Sequence, residues 1–247
     1  MRVTFLGTGH AFFGGGRAQS AVLVEDQLGR WLLECGATTP YLLKRHAIDA
    51  NTIPMAAVSH LHGDHFAGLP FFLLAAREEE QRTSVLHLVG PAMLKARIRD
   101  LLLALYSESD PDRWPFPVEY HPLVPGQSVV VLGRTFRALA AHHMRDGTAL
   151  CLRVESEGKV IAFSGDTGAR APLGELAEGA DLFICECTLA AAADGDVRHL
   201  SVEDIARLRP GWNARRVVLT HLSTDSRRAA RALNGVELAE DGLQIEL

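Results

Sequence analysis

Ala56-Ala57-Val58-Ser59-His60-Leu61-His62-Gly63-Asp64-His65 sets three histidines and an aspartate directly behind a short apolar run. Residues 56–59 are predicted to form a strand that stops at His60. His60 and His62 are two apart, so in extended backbone both imidazoles project to one side and can chelate one ion. Asp64 and His65 follow as the chain turns into a helix, where they can reach a second ion close by. Imidazole suits zinc, iron and nickel, and an added carboxylate admits manganese. Two divalent metal ions are therefore expected, Zn(2+) foremost, with Mn(2+) or Fe also accommodated.

Outward from this segment, apolar runs alternate with turn signals in both directions. Strands are predicted at 2–7, 20–25, 30–34 and 85–89, the last ending at the Gly90-Pro91 punctuation. Helices are expected at 39–47, 68–81 and 92–105, followed by a Pro- and Trp-containing loop over 107–117. The second half continues in the same manner. Strands are read at 128–132, 135–140, 149–155, 159–163, 181–185, 217–220 and 242–247, with helical segments at 201–208 and 225–234. Two halves that each mix strands and helices predict an α/β chain, a β-sandwich with helices on its outer faces. No linker or repeat divides it, so one domain over residues 1–247 is expected.

Composition narrows the function. The 247 residues are 47% hydrophobic with a net charge of −5, which does not provide the basic face that grips nucleic-acid phosphates. Cys35, Cys151, Cys185 and Cys187 form no C-x-x-C pair and read as buried small hydrophobes. Reduced thiols fit a cytoplasmic protein. No run of 18 apolar residues predicts a membrane span. The expected partner is a small-molecule substrate, with no membrane and no nucleic acid, and the composition leaves room for a homodimer.

Further polar residues gather behind apolar strands: Asp166 after 160–164 and His221 after 217–220. Strand ends on a rigid scaffold are the usual home of catalysis. Together with His60-x-His62-x-Asp64-His65, the motifs Phe163-Ser164-Gly165-Asp166-Thr167 and Leu219-Thr220-His221-Leu222-Ser223 resemble those of the metallo-β-lactamase superfamily. Phe5-Leu6-Gly7-Thr8-Gly9 and Gly68-Leu69-Pro70 are similar to its ribonuclease Z-like phosphodiesterase branch. The resemblance implies a four-layer αββα sandwich. It also implies a site in which His60, His62 and His143 hold one metal, Asp64, His65 and His221 hold the other, and Asp166 bridges. His142 is the alternative to His143.

The same resemblance assigns catalytic roles to Asp64, His199 and Glu186. His199, in Arg198-His199-Leu200-Ser201, matches a branch histidine that donates a proton to the leaving oxygen. Glu186, in Cys185-Glu186-Cys187-Thr188, matches a glutamate that orients it. Three departures stand out: Cys185 replaces a histidine, Glu34 replaces an aspartate before Cys-Gly, and only residues 144–165 lie between His143 and Asp166. Ribonuclease Z carries a long basic arm in that interval, which here has room only for a hairpin. The expected activity is therefore hydrolysis of a small or cyclic phosphodiester rather than ribonuclease Z-type RNA processing. A lactone, thioester or β-lactam is the alternative substrate class, and a non-catalytic binding module on the same scaffold is a third reading.

Overall fold

The computed structural model describes residues 1–107 and 114–247. Among these residues fourteen strands form two seven-stranded sheets. The first contains β1 (Arg2–Gly7), β2 (Ala21–Asp26), β3 (Gly29–Leu33), β4 (Met55–Ala57), β5 (Leu86–Pro91) and β6 (Val118–Leu123). They run in that order from one side to the other, and the C-terminal β14 (Gln244–Glu246) adds outside β1. The second sheet holds β7 (Ser128–Val131), β8 (Arg134–Ala140), β9 (Leu150–Ser156), β10 (Lys159–Phe163), β11 (Ala180–Glu186), β12 (Ala214–Thr220) and β13 (Glu237–Leu238), again as neighbours in chain order.

Strand alternation separates three apolar cores. Between the sheets lie Val3, Val24, Trp31 and Val89 from one and Phe136, Leu152, Ile161, Ile184 and Val218 from the other. The outer face of the first sheet packs Leu32, Val58 and Leu88 under helices α1 (Thr39–Arg45), α3 (Leu69–Glu78) and α4 (Leu94–Leu105). Helices α5 (Leu173–Ala177), α6 (Val202–Leu208) and α7 (Thr224–Ala230) cover Phe183, Cys185 and Val217 on the second. The result is the αββα sandwich of the metallo-β-lactamase fold. Between the sheets, the Arg134 guanidinium donates to both oxygens of Asp26, at 2.5 and 2.8 Å, and both side chains are fully buried. All four cysteines are free and buried, and burial pushes the Cys35 and Cys151 thiols up to about 12.

Several expectations need correction. The strand expected at 56–59 is β4 and ends at Ala57, because the chain must leave the sheet to aim His60 and His62. The segment predicted as one helix over 68–81 is α3, shorter at both ends, preceded by the separate turn α2 (Gly63–Phe66). Gly90-Pro91 does not stop β5: Pro91 is its last residue, opposite Leu123, where the missing N–H removes one donor at the ladder's end. Strand β6 was not expected at all, since Pro122 weakens its pattern; proline is tolerated on an edge strand. The segments expected at 225–234 and 242–247 are shorter, and α5 and β13 are additional. Within the predicted loop over 107–117, residues 108–113 lie outside the described residues. No helix among the described residues is long and apolar enough to cross a membrane.

Candidate active site

Five connections meet at one end of the sandwich. His60 follows β4, and His62 stays extended (φ −80°, ψ 148°) as the residue that precedes α2, so Asp64 and His65 fall in its single turn. His143 follows β8, Asp166 follows β10, Glu186 ends β11 and His221 follows β12. Gly165 has φ +55°, and a Cβ there would lie 2.8 Å from the Leu150 carbonyl and from Ser59, so Asp166 is presented by a backbone that only glycine accommodates. His221 itself adopts φ 58°, and its N–H donates to the Thr8 carbonyl at 3.0 Å. A non-glycine residue in that region is strained, and the surrounding contacts hold it there.

Two groups of side chains result. One ligand atom from each of His60, His62, His143 and Asp166 lies within 4.8 Å of the others, and the same is true of Asp64, His65, Asp166 and His221. Asp166 belongs to both. Its Oδ2 lies 3.8 Å from the Nε2 atoms of His60 and His143, 3.3 Å from that of His65 and 3.4 Å from that of His221. Buried His60 Nε2 and Asp166 Oδ1 find no hydrogen-bond partner among the described residues. Orphaned buried polar atoms are costly, and a pair of cations at these two groups would satisfy them. The donor set, imidazole with carboxylate, fits divalent metals such as zinc.

Four of the imidazoles are held from behind. His143 Nδ1 donates to the Arg198 carbonyl at 2.9 Å, so its Nε2 lone pair faces the group. His221 Nδ1 lies 2.8 Å from the Thr188 hydroxyl, which donates to Glu186 Oε2 at 2.7 Å. His60 Nδ1 meets Ser59 Oγ at 3.0 Å, and His65 Nδ1 faces buried Glu34 Oε1 at 3.7 Å. These contacts set tautomer and ring orientation. Glu34, Ser59, Thr188 and Arg198 were not foreseen as site residues. Glu34 was noted only as the carboxylate before Cys35-Gly36, and the other three only as members of the quoted motifs; the φ of 67° at Glu34 bends it toward His65. His142 turns away, with Nε2 2.9 Å from Asp196 Oδ1.

His199 lies beside both groups. Its Nδ1 donates to Glu186 Oε1 at 2.8 Å, and Glu186 also accepts from the Thr167 N–H at 2.7 Å. The His199 ring stacks on His221 with centroids 5.8 Å apart, and its Nδ1 is 4.0 Å from Asp166 Oδ2. The side chain remains 28% exposed, so a ligand in the cleft can reach it. Burial pulls this imidazole down, and Glu186 and Asp166 outweigh it, raising it to about 9. It therefore carries a proton at neutral pH.

The charges within the groups bear on metal loading. Burial holds the His60 imidazole well below its ordinary value, which keeps it neutral and ready to ligate. His65 shifts the other way: burial lowers it, but Asp166, Asp64 and Glu34 raise it well above the ordinary value. Burial would favour the neutral acid at Asp64 and Asp166, yet the neighbouring histidines hold both carboxylates below the usual range. A cation would take over the charge that His65 carries, and ligation needs the neutral ring. Zinc binding is thus expected to release a proton per chain at neutral pH and to weaken as pH falls. Calorimetry in buffers of different ionisation enthalpy measures this, and binding without proton release would remove His65 from the ligand set.

A family model described as "Anti-Pycsar protein Apyc1" matches residues 1–245. The chain is similar to the ribonuclease Z of Bacillus velezensis, with 26% identity over 277 aligned positions, covering 90% of this chain and 88% of that protein. Among solved structures it is similar to the short form of human tRNase Z (ELAC1), with a TM-score of 0.80, 28% identity, and coverage of 100% of this chain and 99% of that one. It also matches the metallo-β-lactamase fold protein YhfI from Bacillus subtilis. That likeness, with a TM-score of 0.79 and 21% identity over 99% and 98% of the two chains, bears on the fold alone.

Proposed function

The chain belongs to the Anti-Pycsar protein Apyc1 family and is a ribonuclease Z-like protein of the metallo-β-lactamase fold; on that footing we propose that it is a metal-dependent phosphodiesterase acting on a small or cyclic phosphodiester. In this reading His60, His62 and His143 would hold one ion and Asp64, His65 and His221 the second, with Asp166 available to both. The ions, when bound, would supply Lewis acidity that activates water near neutral pH and offsets charge on the phosphoryl oxygens.

The observation that carries the proposal is the 2.8 Å contact between His199 Nδ1 and Glu186 Oε1 at the edge of the two groups. Glu186 fixes the ring, which leaves the Nε2 proton for transfer to a leaving alkoxide. An alkoxide is a poor leaving group until it is protonated, and phosphodiesters release one in every turnover. The ribonuclease Z relatives support phosphodiester chemistry as such. A small substrate is favoured because the interval from His143 to Asp166 contains only the β9–β10 hairpin, with a turn at Glu157-Gly158. No arm in that interval offers phosphate contacts along an RNA.

A substrate panel tests the proposal. Zinc-loaded protein is expected to hydrolyse bis-p-nitrophenyl phosphate and at least one cyclic nucleotide or cyclic sugar phosphate. Faster turnover of a lactone or of nitrocefin would overturn it in favour of carboxylic-ester chemistry. Efficient trimming of precursor transfer RNA without cleavage of small diesters would overturn the small-substrate part.

A further inference from the structure

Strands β5 and β6 finish the first sheet on the side away from β1. They run parallel, with His87 opposite Glu119 and Val89 opposite His121. Side chains alternate along each strand, so His87 and Val89 share a face with Glu119, His121 and Leu123. Val89 and Leu123 are buried in the core between the sheets. The same row of positions therefore continues from an apolar core into a half-buried His87, a half-buried His121 and an exposed Glu119.

The geometry of these three residues is specific. The two imidazole rings stack with centroids 5.3 Å apart and an interplanar angle of 30°. His87 Nδ1 lies 3.0 Å from His121 Nε2 and 3.4 Å from Glu119 Oε2. One ligand atom from each residue falls within 4.8 Å of the others. A single proton on His87 Nδ1 can serve one of its two neighbours well, whereas a cation accepts from both ring nitrogens and the carboxylate together. Facing imidazole nitrogens of the same kind occur in the hydrolytic centre, where His143 Nε2 is 2.9 Å from His62 Nδ1.

We infer that His87, Glu119 and His121 form a further binding site for a divalent transition-metal ion, distinct from the hydrolytic centre. Met55 pairs with His87, and His60 lies five residues further along the chain, so the two sites are separated by on the order of 15 Å. Two imidazoles and one carboxylate with open positions select zinc, copper(II) or nickel over calcium or magnesium. The ligands come from two strands, one of them an edge strand, so a bound ion clips β6 to β5. An ion that binds the folded chain and not the unfolded one raises its stability. The proposal is independent of the substrate assigned above.

The test uses zinc alone as the probe, in the full chain carrying His60→Ala, Asp166→Ala and His221→Ala, which leaves neither hydrolytic group more than two ligands. One zinc ion per chain is expected to remain after gel filtration, with a zinc-dependent rise in Tm. Adding His87→Ala and His121→Ala should abolish both. In the otherwise native protein the same two changes should leave hydrolysis of bis-p-nitrophenyl phosphate unchanged and lower the zinc content by one ion per chain. Zinc content and Tm that do not respond to these residues would overturn the site. Imidazole nitrogen resonances in native protein give a measurement that needs no variant: zinc must shift those of His87 and His121, and unmoved signals would also overturn it.

Discussion

His143→Ala protein is expected to lose nearly all hydrolytic activity together with one of its two hydrolytic metal ions, while His142→Ala protein stays close to native on both counts. The two residues are neighbours in sequence and opposite in setting. His143 is buried against His62, with its ring fixed by the Arg198 carbonyl, and its Nε2 faces Asp166. Its loss would leave the ion with His60, His62 and the shared Asp166, and the Asp166 charge less well compensated. His142 pairs instead with Asp196, an exposed carboxylate on a neighbouring loop, and such solvent-screened surface pairs contribute little. Elemental analysis and initial rates on the two proteins decide the matter. A metal-depleted His142→Ala protein beside a metal-replete His143→Ala protein would mean that the loop rearranges on loading and that the ligand set is wrong.

The second large effect belongs to His199. General acids contribute about 10²- to 10⁴-fold, so His199→Ala should lower kcat on an alkyl phosphodiester by about that factor with both ions retained. The loss should be smaller on a p-nitrophenyl ester, whose leaving oxygen is weakly basic and needs little protonation. Glu186→Gln provides the companion measurement. Glu186 raises the His199 imidazole, so its neutralisation lowers the pH at which the ring gives up its proton. An acid must be protonated to act, and the alkaline limb of the pH–rate profile should therefore move to lower pH in that variant. Equal losses on the two leaving groups, with an unmoved alkaline limb, would make His199 a substrate-binding residue. Depletion of metal in His199→Ala would make it a ligand or a structural support.

Much of the fold was legible along the chain because its strands are short apolar runs bounded by glycine turns, and period and punctuation suffice to read those. The failures have particular causes. Strand β6, Val118-Glu119-Tyr120-His121-Pro122-Leu123, carries a proline and exposes part of one face, so only its pairing with β5 identifies it. Strand β4 ends two residues before its predicted limit, at Ala57, since the Ser59 N–H is taken by the Glu34 carboxylate at 3.1 Å rather than by a sheet partner.

The sequence by itself determined the αββα class and the residue types of the site. A segment that places several imidazoles and a carboxylate within six positions constrains its own geometry, whatever surrounds it. Only the tertiary structure decided which of His142 and His143 faces inward and that Glu34 and Thr188 stand behind the histidines. It alone also paired His87 with Glu119 and His121 across two strands. The reason is physical: a loop side chain points where its hydrogen bonds hold it. For His143 the partner is the carbonyl of Arg198, 55 residues further on, and no local pattern records a contact that folding alone creates.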